Sequence, residues 1–323
     1  MVISALARAP LASHATLCTV CHRFHHLVKS ADFLRERIDC GCAEHGMLIA
    51  GGARSACPRK HVSAKTFALV DGRWRPLAHM RRPRSFASSV VVDGEFWVLG
   101  GRDDYKQELS SVEAYSFTSN KWRSCPSMRQ RRTGAVAGVV AGALVVAGGG
   151  FDGERLTHAE VFRDGVWTAL PPLPFAAHRP ASCVLNDQLF VAGGRESDAL
   201  QVWDGKEWKI RARMPQPRWD AACVVHAGRM MVIGGFIRGE GITASVISYD
   251  PETDEWSKGD PLPPTRPYFT TEFSAVTHAG GIHVVCGGAP LRYCDERWSE
   301  LPKIPTPPTG ELFKPALASV LLG

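Results

Sequence analysis

The sequence contains no long apolar run. No stretch of its 323 residues approaches the roughly 18 apolar residues that a membrane-spanning helix requires. The first 15 residues form too short a segment for a secretory signal peptide, and Arg8 interrupts them. We therefore expect a protein of the cytoplasm or nucleus, with no membrane partner.

The sequence also lacks a regular cysteine framework. Its ten cysteines are scattered, and several fall in apolar runs, as Cys183, Cys223 and Cys286 do. Such positions suit small buried hydrophobic side chains in a reducing compartment. One cluster leaves zinc binding and simple packing open as alternatives, and we expect no cofactor. Its cysteines are Cys18, Cys21, Cys40 and Cys42.

Arrangements typical of redox metal enzymes are missing too. We find no matched set of His, Tyr and Cys for copper, and no loop with two acids and a His for iron. Acids do occur in polar loops, where paired carboxylates can perform acid–base chemistry on a sugar. Isolated loop acids are more often solvated or paired with arginines, so we predict a protein that is not an enzyme. These acids are Asp103, Asp104, Glu154, Glu196 and Glu240.

What the sequence does contain is a repeat of glycine pairs and tryptophans. Four times in succession, 26 residues separate a tryptophan from the next pair, beginning with Trp74 and Gly100. A period of 40 to 50 residues indicates a repeat architecture. The pairs are Gly51-Gly52, Gly100-Gly101, Gly148-Gly149, Gly193-Gly194, Gly234-Gly235 and Gly287-Gly288, and the tryptophans are Trp74, Trp122, Trp167, Trp208, Trp256 and Trp298.

Each repeat unit has the pattern of four short strands. Apolar runs alternate with turns rich in Gly, Asn and Asp, which is typical of antiparallel strands joined by hairpins. Four such strands, labelled a to d here, make one propeller blade. The glycine pair at the end of strand b permits positive φ and close packing. The tryptophan on strand d fills the wedge between blades.

These patterns resemble the Kelch family over about residues 47–323. The segment from Tyr249 to Trp256 carries the Kelch pattern most fully, and Val112–Tyr115 precedes Trp122 in the same way. The resemblance implies an all-β, six-bladed Kelch propeller. An apolar residue also recurs six residues after the tryptophans, at Met80, Met128, Leu173, Met214 and Leu262.

The two ends of the propeller are expected to meet. The first unit has a strand b, from Met47 to Gly51, but no strand a before it. The C-terminal segment 316–323 has the apolar pattern of a strand a. Because an open ring exposes a strand edge, we predict that this segment closes blade one. A frayed apolar tail is the alternative.

Residues 1–38 show a different, helical pattern, and 39–46 form a predicted linker. Apolar residues recur at three- and four-residue spacing between Leu17 and Val28. Together with Leu6–Pro10 and Ser30–Arg37, this segment resembles the F-box of plant-type F-box/Kelch proteins, without their opening Leu-Pro and acidic segment. The resemblance implies an N-terminally incomplete F-box that binds the adaptor subunit of a cullin-RING ubiquitin ligase. A short helical cap is the alternative. The expected adaptor-binding residues are Leu6, Leu17, Val20 and Phe24.

Arginines gather at one point of the repeat, just before strand a. They lie ten residues after a tryptophan, except Arg179, which lies twelve after Trp167. Antiparallel strand order brings the d–a connections and the b–c loops to the same face, so we predict a cationic binding face. In Kelch substrate receptors such arginines line a pocket for a partner peptide; the alternative is that they cap backbone carbonyls between blades. The predicted partner-binding residues are Arg84, Arg132, Arg179, Arg218, Arg266, Arg102, Arg195 and Tyr105.

The net charge of +6 and the arginines favour a partner with carboxylates or phosphates. Nucleic acid fits less well, because the cations form a ring on one face rather than an element that enters a groove. The leading hypothesis is the substrate receptor of an SCF-type cullin-RING ubiquitin ligase, which holds an acidic or phosphorylated segment of its target. The alternatives are a Kelch interaction or scaffold protein without a ligase link and, ranked last, a Kelch-type enzyme.

Overall fold

The computed structural model describes residues 44–54, 62–70, 73–117, 119–263, 274–278, 281–285, 291–294, 297–300, 312–313 and 316–322. These residues form strands, turns and loops, and no helix occurs among them. The predicted F-box-like segment 1–38 lies outside the described residues.

Thirty strands occur in the described residues. The first ten are β1 (Glu44–Ala50), β2 (Ala53–Arg54), β3 (Thr66–Val70), β4 (Arg73–Leu77), β5 (Ser88–Val92), β6 (Glu95–Leu99), β7 (Val112–Ser116), β8 (Lys121–Cys125), β9 (Val136–Val140) and β10 (Ala143–Ala147). The next ten are β11 (Gly150–Phe151), β12 (Glu154–Arg155), β13 (Ala159–Arg163), β14 (Val166–Leu170), β15 (Ala181–Leu185), β16 (Gln188–Ala192), β17 (Leu200–Trp203), β18 (Trp208–Arg211), β19 (Ala222–His226) and β20 (Arg229–Ile233). The last ten are β21 (Phe236–Ile237), β22 (Gly241–Ile242), β23 (Val246–Asp250), β24 (Glu255–Gly259), β25 (Ser274–His278), β26 (Gly281–Val285), β27 (Leu291–Cys294), β28 (Arg297–Glu300), β29 (Leu312–Phe313) and β30 (Ala316–Leu322).

Six four-stranded antiparallel sheets form the six predicted blades. Blades two to six are β5–β8, β9-β10-β13-β14, β15–β18, β19-β20-β23-β24 and β25–β28, each in the order a, b, c, d. The a strands contact one another in a closed cycle, β30-β5-β9-β15-β19-β25 and back to β30. The fold is therefore a six-bladed propeller with its a strands around the axis. The pairs β2–β29, β11–β12 and β21–β22 are short additions in its loops.

The predicted ring closure is confirmed. Blade one has the order β30-β1-β3-β4, with the C-terminal strand innermost. Its register runs from Glu44 opposite Leu322 to Ala50 opposite Ala316. One boundary is corrected: β1 begins at Glu44, so the last three residues of the predicted linker 39–46 belong to the strand, because β30 is long enough to pair with them.

The hydrophobic core is divided among the interfaces between blades. Successive side chains of a strand point to opposite faces of the sheet, and both faces of a blade are covered by neighbouring blades. In β6, Phe96 and Val98 pack in a cluster with Leu48 of blade one, while Trp97 packs with Leu144 of blade three. This is why the b strands read as continuous apolar runs rather than alternating ones.

Each described tryptophan side chain of strand d links two blades. Its indole N–H donates to a backbone carbonyl that lies four residues after the tryptophan of the preceding blade. The predicted wedge role is thus confirmed for these five, and the Trp74 side chain lies outside the described residues. The pairs, at 2.7 to 2.9 Å, are Trp122 to Ala78, Trp167 to Pro126, Trp208 to Pro171, Trp256 to Ala212 and Trp298 to Asp260.

The glycine pairs lie where strand b of a blade meets the d–a connection that leads to the next blade. Gly148 and Gly149 both have positive φ, +65° and +97°. The N–H of Gly149 donates to the carbonyl of Ala177 at 2.7 Å, and a Cβ on Gly148 would collide with that carbonyl oxygen. The predicted need for positive φ and close packing is confirmed here. The other pairs with both φ values positive are Gly51-Gly52, Gly100-Gly101, Gly193-Gly194 and Gly234-Gly235, while Gly287-Gly288 lies outside the described residues.

Candidate functional site: the face of the d–a connections and b–c loops

The d–a connections and the b–c loops share one face, as the strand order predicts. Backbone bridges join the two sets: Ser85 pairs with Arg102, Thr133 with Gly150 and Trp219 with Phe236. Two b–c loops also contain a small hairpin of their own, β11–β12 in blade three and β21–β22 in blade five. The backbone of this face is therefore extensively hydrogen-bonded.

Three of the predicted binding arginines are buried beneath this face. Arg84, Arg132 and Arg218 are 1%, 1% and 2% exposed. Nη1 of Arg132 donates to the carbonyl oxygens of Gly148 at 2.8 Å and His158 at 2.9 Å, which are two ends of strands in blade three.

Arg84 and Arg218 repeat this arrangement in blades two and five. Nη1 of Arg84 donates to the carbonyls of Gly100 at 3.0 Å and Ser111 at 2.9 Å. Nη1 of Arg218 donates to those of Gly234 and Ser245, both at 3.3 Å. The carbonyl of each arginine in turn accepts an N–H from the preceding blade: Gly52 to Arg84, Gly101 to Arg132 and Gly194 to Arg218.

A buried carboxylate accompanies two of these arginines. Arg84 Nη2 lies 2.6 Å from Glu113 Oε1, and Arg132 Nη2 lies 2.5 Å from Glu160 Oε1. Both glutamates also accept backbone N–H groups from the d–a connection, such as that of Arg129 to Glu160 at 2.7 Å. Burial lowers the pKa of the Arg84 and Arg132 guanidinium groups, while their glutamates act in the opposite direction.

The prediction that Arg84, Arg132 and Arg218 bind a partner is therefore corrected. Their side chains are buried and bond to one blade, while their backbone carbonyls bond to the preceding blade. They cap carbonyls and join blades, which is the structural alternative that the sequence left open. The physical reason is the row of backbone carbonyls at the ends of strands b and c. A guanidinium group satisfies these oxygens from inside the protein, where water does not reach.

Arg179 occupies a different structural position. The residue of blade four that matches the buried arginines is Ala177, whose carbonyl accepts the N–H of Gly149. Arg179 lies two residues later and matches Phe86, Gly134 and Asp220. These four residues all have φ between +56° and +59°, and backbone hydrogen bonds connect them in the order Phe86, Gly134, Arg179, Asp220. They form an arc near the start of the a strands.

The Arg179 side chain lies across this arc. Its guanidinium pairs with the carboxylate of Asp220 and stands over the Phe86 ring, with Cζ 4.9 Å from the ring centroid. A Cβ on Gly134 would collide with Cγ of Arg179, so the missing side chain at Gly134 makes room for it. Arg179 is 22% exposed at its side chain and so remains accessible from the face.

A cavity of about 460 Å³ opens on this face over blades two, three and four. Phe86 and Phe151 supply apolar walls, and Thr133 and His178 add polar ones. The volume falls within the roughly 300 to 1,000 Å³ of ligand pockets. Charged groups of both signs line the cavity, namely Arg102, Arg155, Arg179, Arg195, Glu108, Glu154 and Glu196.

Most of these charges are already paired. Arg102 lies 3.0 Å from Glu108, and Glu196 accepts both Arg155 at 3.1 Å and Arg238 at 2.9 Å. The arrangement is thus a mixed field of charges rather than the ring of free arginines that the sequence predicted.

The structure brings together three of the eight predicted binding residues. Arg102, Arg179 and Arg195 line the cavity. Tyr105 is 86% exposed in the same loop as Arg102 but does not line the cavity. Arg266 lies outside the described residues, as do the predicted adaptor-binding residues Leu6, Leu17, Val20 and Phe24.

Sequence reasoning missed Phe86, Thr133 and His178 in the cavity wall. A usable signal was present, because Phe86, Gly134, Arg179 and Asp220 each lie twelve residues after a tryptophan. Arg179 lies twelve residues after its tryptophan, whereas the other arginines lie ten residues after theirs. This difference of two residues separates the positions of the arc, near the surface, from the buried arginine positions.

The described residues contain no group of three or more His, Cys, Asp or Glu side chains placed to hold a metal ion. The cysteines weighed for zinc, Cys18, Cys21, Cys40 and Cys42, lie outside them. Within the same described residues, no helix is long and apolar enough to cross a membrane.

Fold and loops together define the class: a six-bladed β-propeller with a cavity on its loop face. Two of its blades carry recognisable Kelch repeats, because the family model for the Kelch motif matches residues 83–129 and 217–263.

Similarity to known proteins supports the same assignment. The chain is 30% identical over 143 residues to the F-box/kelch-repeat protein SKIP30 of Arabidopsis thaliana, a match that covers 38% of this chain and 40% of that protein. It is 30% identical over 149 residues to Kelch-like protein 35 of Mus musculus, covering 43% and 24%. The chain thus spans less than half the length of these relatives. The solved structure of YjhT superimposes with a TM-score of 0.62 over 79% of this chain and 97% of that one, and at 15% identity this shows the fold alone.

Proposed function

We propose that this chain is the substrate receptor of an SCF-type cullin-RING ubiquitin ligase. In this proposal the propeller holds the target protein, and residues 1–38 bind the adaptor subunit as an F-box. The observation that carries it is the cavity on the loop face of a Kelch-repeat propeller. Similarity to an F-box/kelch-repeat protein and to Kelch-like proteins supports it. The protein then acts by binding, without catalytic residues or a cofactor, in the cytoplasm or nucleus.

The proposed target-binding surface is the cavity and the loops around it. Arg102, Arg179 and Arg195 are among the cavity-lining arginines that an acidic or phosphorylated segment of the target can reach. Guanidinium groups bind carboxylates and phosphates through paired hydrogen bonds. Because these groups are solvent-accessible, salt screens them, and target binding should weaken as ionic strength rises.

The test is co-purification of the full chain with the adaptor subunit of an SCF-type ligase. The expected result is a complex that a charged substitution on the predicted helical stripe, Leu17→Asp, abolishes. Arg163→Glu, at the end of β13 on the opposite face of the propeller, serves as the control and should leave the complex intact. Absence of any complex with the adaptor would instead favour the alternative, a Kelch interaction or scaffold protein without a ligase link.

A further inference from the structure

We propose that the cavity binds a protein segment carrying both an acidic and a basic group, read by Arg195 and Glu154 respectively. The inference rests on the proposed function, since it names the partner of the same face. It goes beyond an acidic partner because the charges that line the cavity are of both signs and nearly balanced.

Arg195 and Glu154 are the two cavity charges that the protein leaves without a partner among its described residues. Neither side chain forms a hydrogen bond or an ion pair with any described residue, whereas Arg102, Arg155, Arg179, Glu108 and Glu196 all do. Arg195 and Glu154 line the same cavity without pairing with each other. Both residues are exposed, so a ligand that enters the cavity can offer an acceptor to Arg195 and a donor to Glu154.

Both residues stand on fixed backbone. Glu154 lies in the β11–β12 hairpin directly opposite Phe151, so the two side chains share one face of the hairpin. The N–H of Arg195 donates to the carbonyl of His178 at 2.9 Å. Arg155, next to Glu154, donates from Nη1 to the carbonyl of Arg195 at 2.8 Å. This side-chain bond links the β11–β12 hairpin to the backbone of Arg195, so the fold sets the distance between the backbone positions that carry the two unpaired charges.

The cavity walls favour a peptide over a nucleic acid. Glu108, Glu154 and Glu196 offset most of the arginine charge that a chain of phosphodiesters would need, and the Phe86 ring is already covered by the Arg179 guanidinium. A peptide can instead place an acidic and a basic side chain at a matching separation and rest apolar groups against Phe151. The occupant we commit to is an extended segment of a target protein.

The experiment selects peptides from a random-sequence display library on the full chain and on two charge-reversal variants, Arg195→Glu and Glu154→Lys. Peptides enriched on the unaltered protein should carry one acidic and one basic residue at a constant spacing. Arg195→Glu should reduce their affinity roughly tenfold or more and select a basic residue in place of the acidic one. Glu154→Lys should do the reverse. Matched controls on the opposite face, Arg163→Glu and Glu252→Lys, should select the original pattern.

The outcomes separate this inference from the proposed function. If both cavity variants enrich the same peptides as the unaltered protein, or if the unaltered protein selects acidic residues alone, the two-charge inference is wrong while a peptide-binding face stands. If no peptide is enriched on any variant, the inference falls together with the target-binding role of this face. The adaptor complex is measured independently of either result.

Discussion

Arg132 and Glu160 form an ion pair that is buried between blades two and three, with Nη2 of the arginine 2.5 Å from Oε1 of the glutamate. Blade four has neither member of this ion pair: Ala177 takes the position of Arg132, and Gln201 takes the position of Glu160. Gln201 instead exchanges hydrogen bonds with the backbone N–H and carbonyl of Phe175. Two ways of filling the same junction thus occur within one chain.

The first prediction follows from this comparison. Arg132→Ala leaves Glu160 buried without its counter-charge, and we expect a loss of about 3 to 5 kcal/mol in the free energy of unfolding. The double variant Arg132→Ala with Glu160→Gln reproduces the residue types of blade four. It should be more stable than the single variant, because the uncompensated charge is gone. Urea-induced unfolding measures both.

Arg218 provides the matched control for the same experiment. Ile247 occupies the position of Glu160 in blade five, so Arg218 has no buried carboxylate at that position. Arg218→Ala therefore strands no charge and should cost less than Arg132→Ala. Equal losses for the two single variants, or a double variant no more stable than Arg132→Ala, would contradict the role assigned to the ion pair.

The buried arginines also show where sequence reasoning stops. Their spacing of ten residues after a tryptophan is the same whether they bind a partner or join blades. Burial depends on the ends of strands b and c, whose carbonyls meet only in the folded protein. The sequence shows that blade four has Ala177 and Gln201 where blade three has Arg132 and Glu160. That these two positions face each other becomes apparent only once the pairing of the strands is known. The propeller itself was predictable, because glycine pairs and tryptophans recur in a constant spacing that reflects a local packing need in each blade.

The second prediction concerns two glycines with similar backbone conformations. Gly148 has φ of +65° and Gly142 has φ of +70°. Alanine at either position costs about 1 to 2 kcal/mol for the left-handed conformation. Only at Gly148 does the new Cβ collide with backbone, the carbonyl of Ala177, whereas at Gly142 it meets nothing within 4 Å.

We therefore expect Gly148→Ala to lower the free energy of unfolding by at least about 1 kcal/mol more than Gly142→Ala. Chemical denaturation of the two variants side by side gives the difference. Because φ is nearly the same at both sites, the backbone strain largely cancels in the comparison. Indistinguishable stabilities would mean that the glycine pair is not needed for the close approach of strand b to the d–a connection.

The third prediction is a loss of stability in alkaline solution. Burial raises the pKa of Tyr115 to about 12, and its hydroxyl donates to Oδ1 of Asn120 at 2.8 Å. In the unfolded chain a tyrosine ionises at a pKa near 10. A raised pKa in the folded state means that the stabilisation is fully present below pH 10 and is lost as the pH rises through about 12.

The free energy of unfolding of the unaltered protein should thus fall between about pH 10 and 12. In Tyr115→Phe the free energy of unfolding should fall less steeply over this range, because this position has no phenol to ionise. Burial also raises the pKa of Tyr249, so some alkaline loss will remain in that variant. Denaturation curves collected at several pH values for both proteins give the two slopes. If the free energy of unfolding of the variant falls as steeply with pH as that of the unaltered protein, titration of Tyr115 does not cause the loss.

The last prediction tests the closure of the ring. Strand β30 pairs with β1 along its whole length, and its a-strand neighbours are β5 and β25. Deleting residues 316–323 would leave β1 with an unpaired edge and blade one without its innermost strand, so we expect a lower midpoint of thermal unfolding and a tendency to aggregate through that edge. Adding a synthetic peptide of residues 316–323 to the shortened protein should raise the midpoint, whereas a scrambled peptide should not. If the shortened chain has the same midpoint of thermal unfolding as the full chain, blade one is stable without its C-terminal strand.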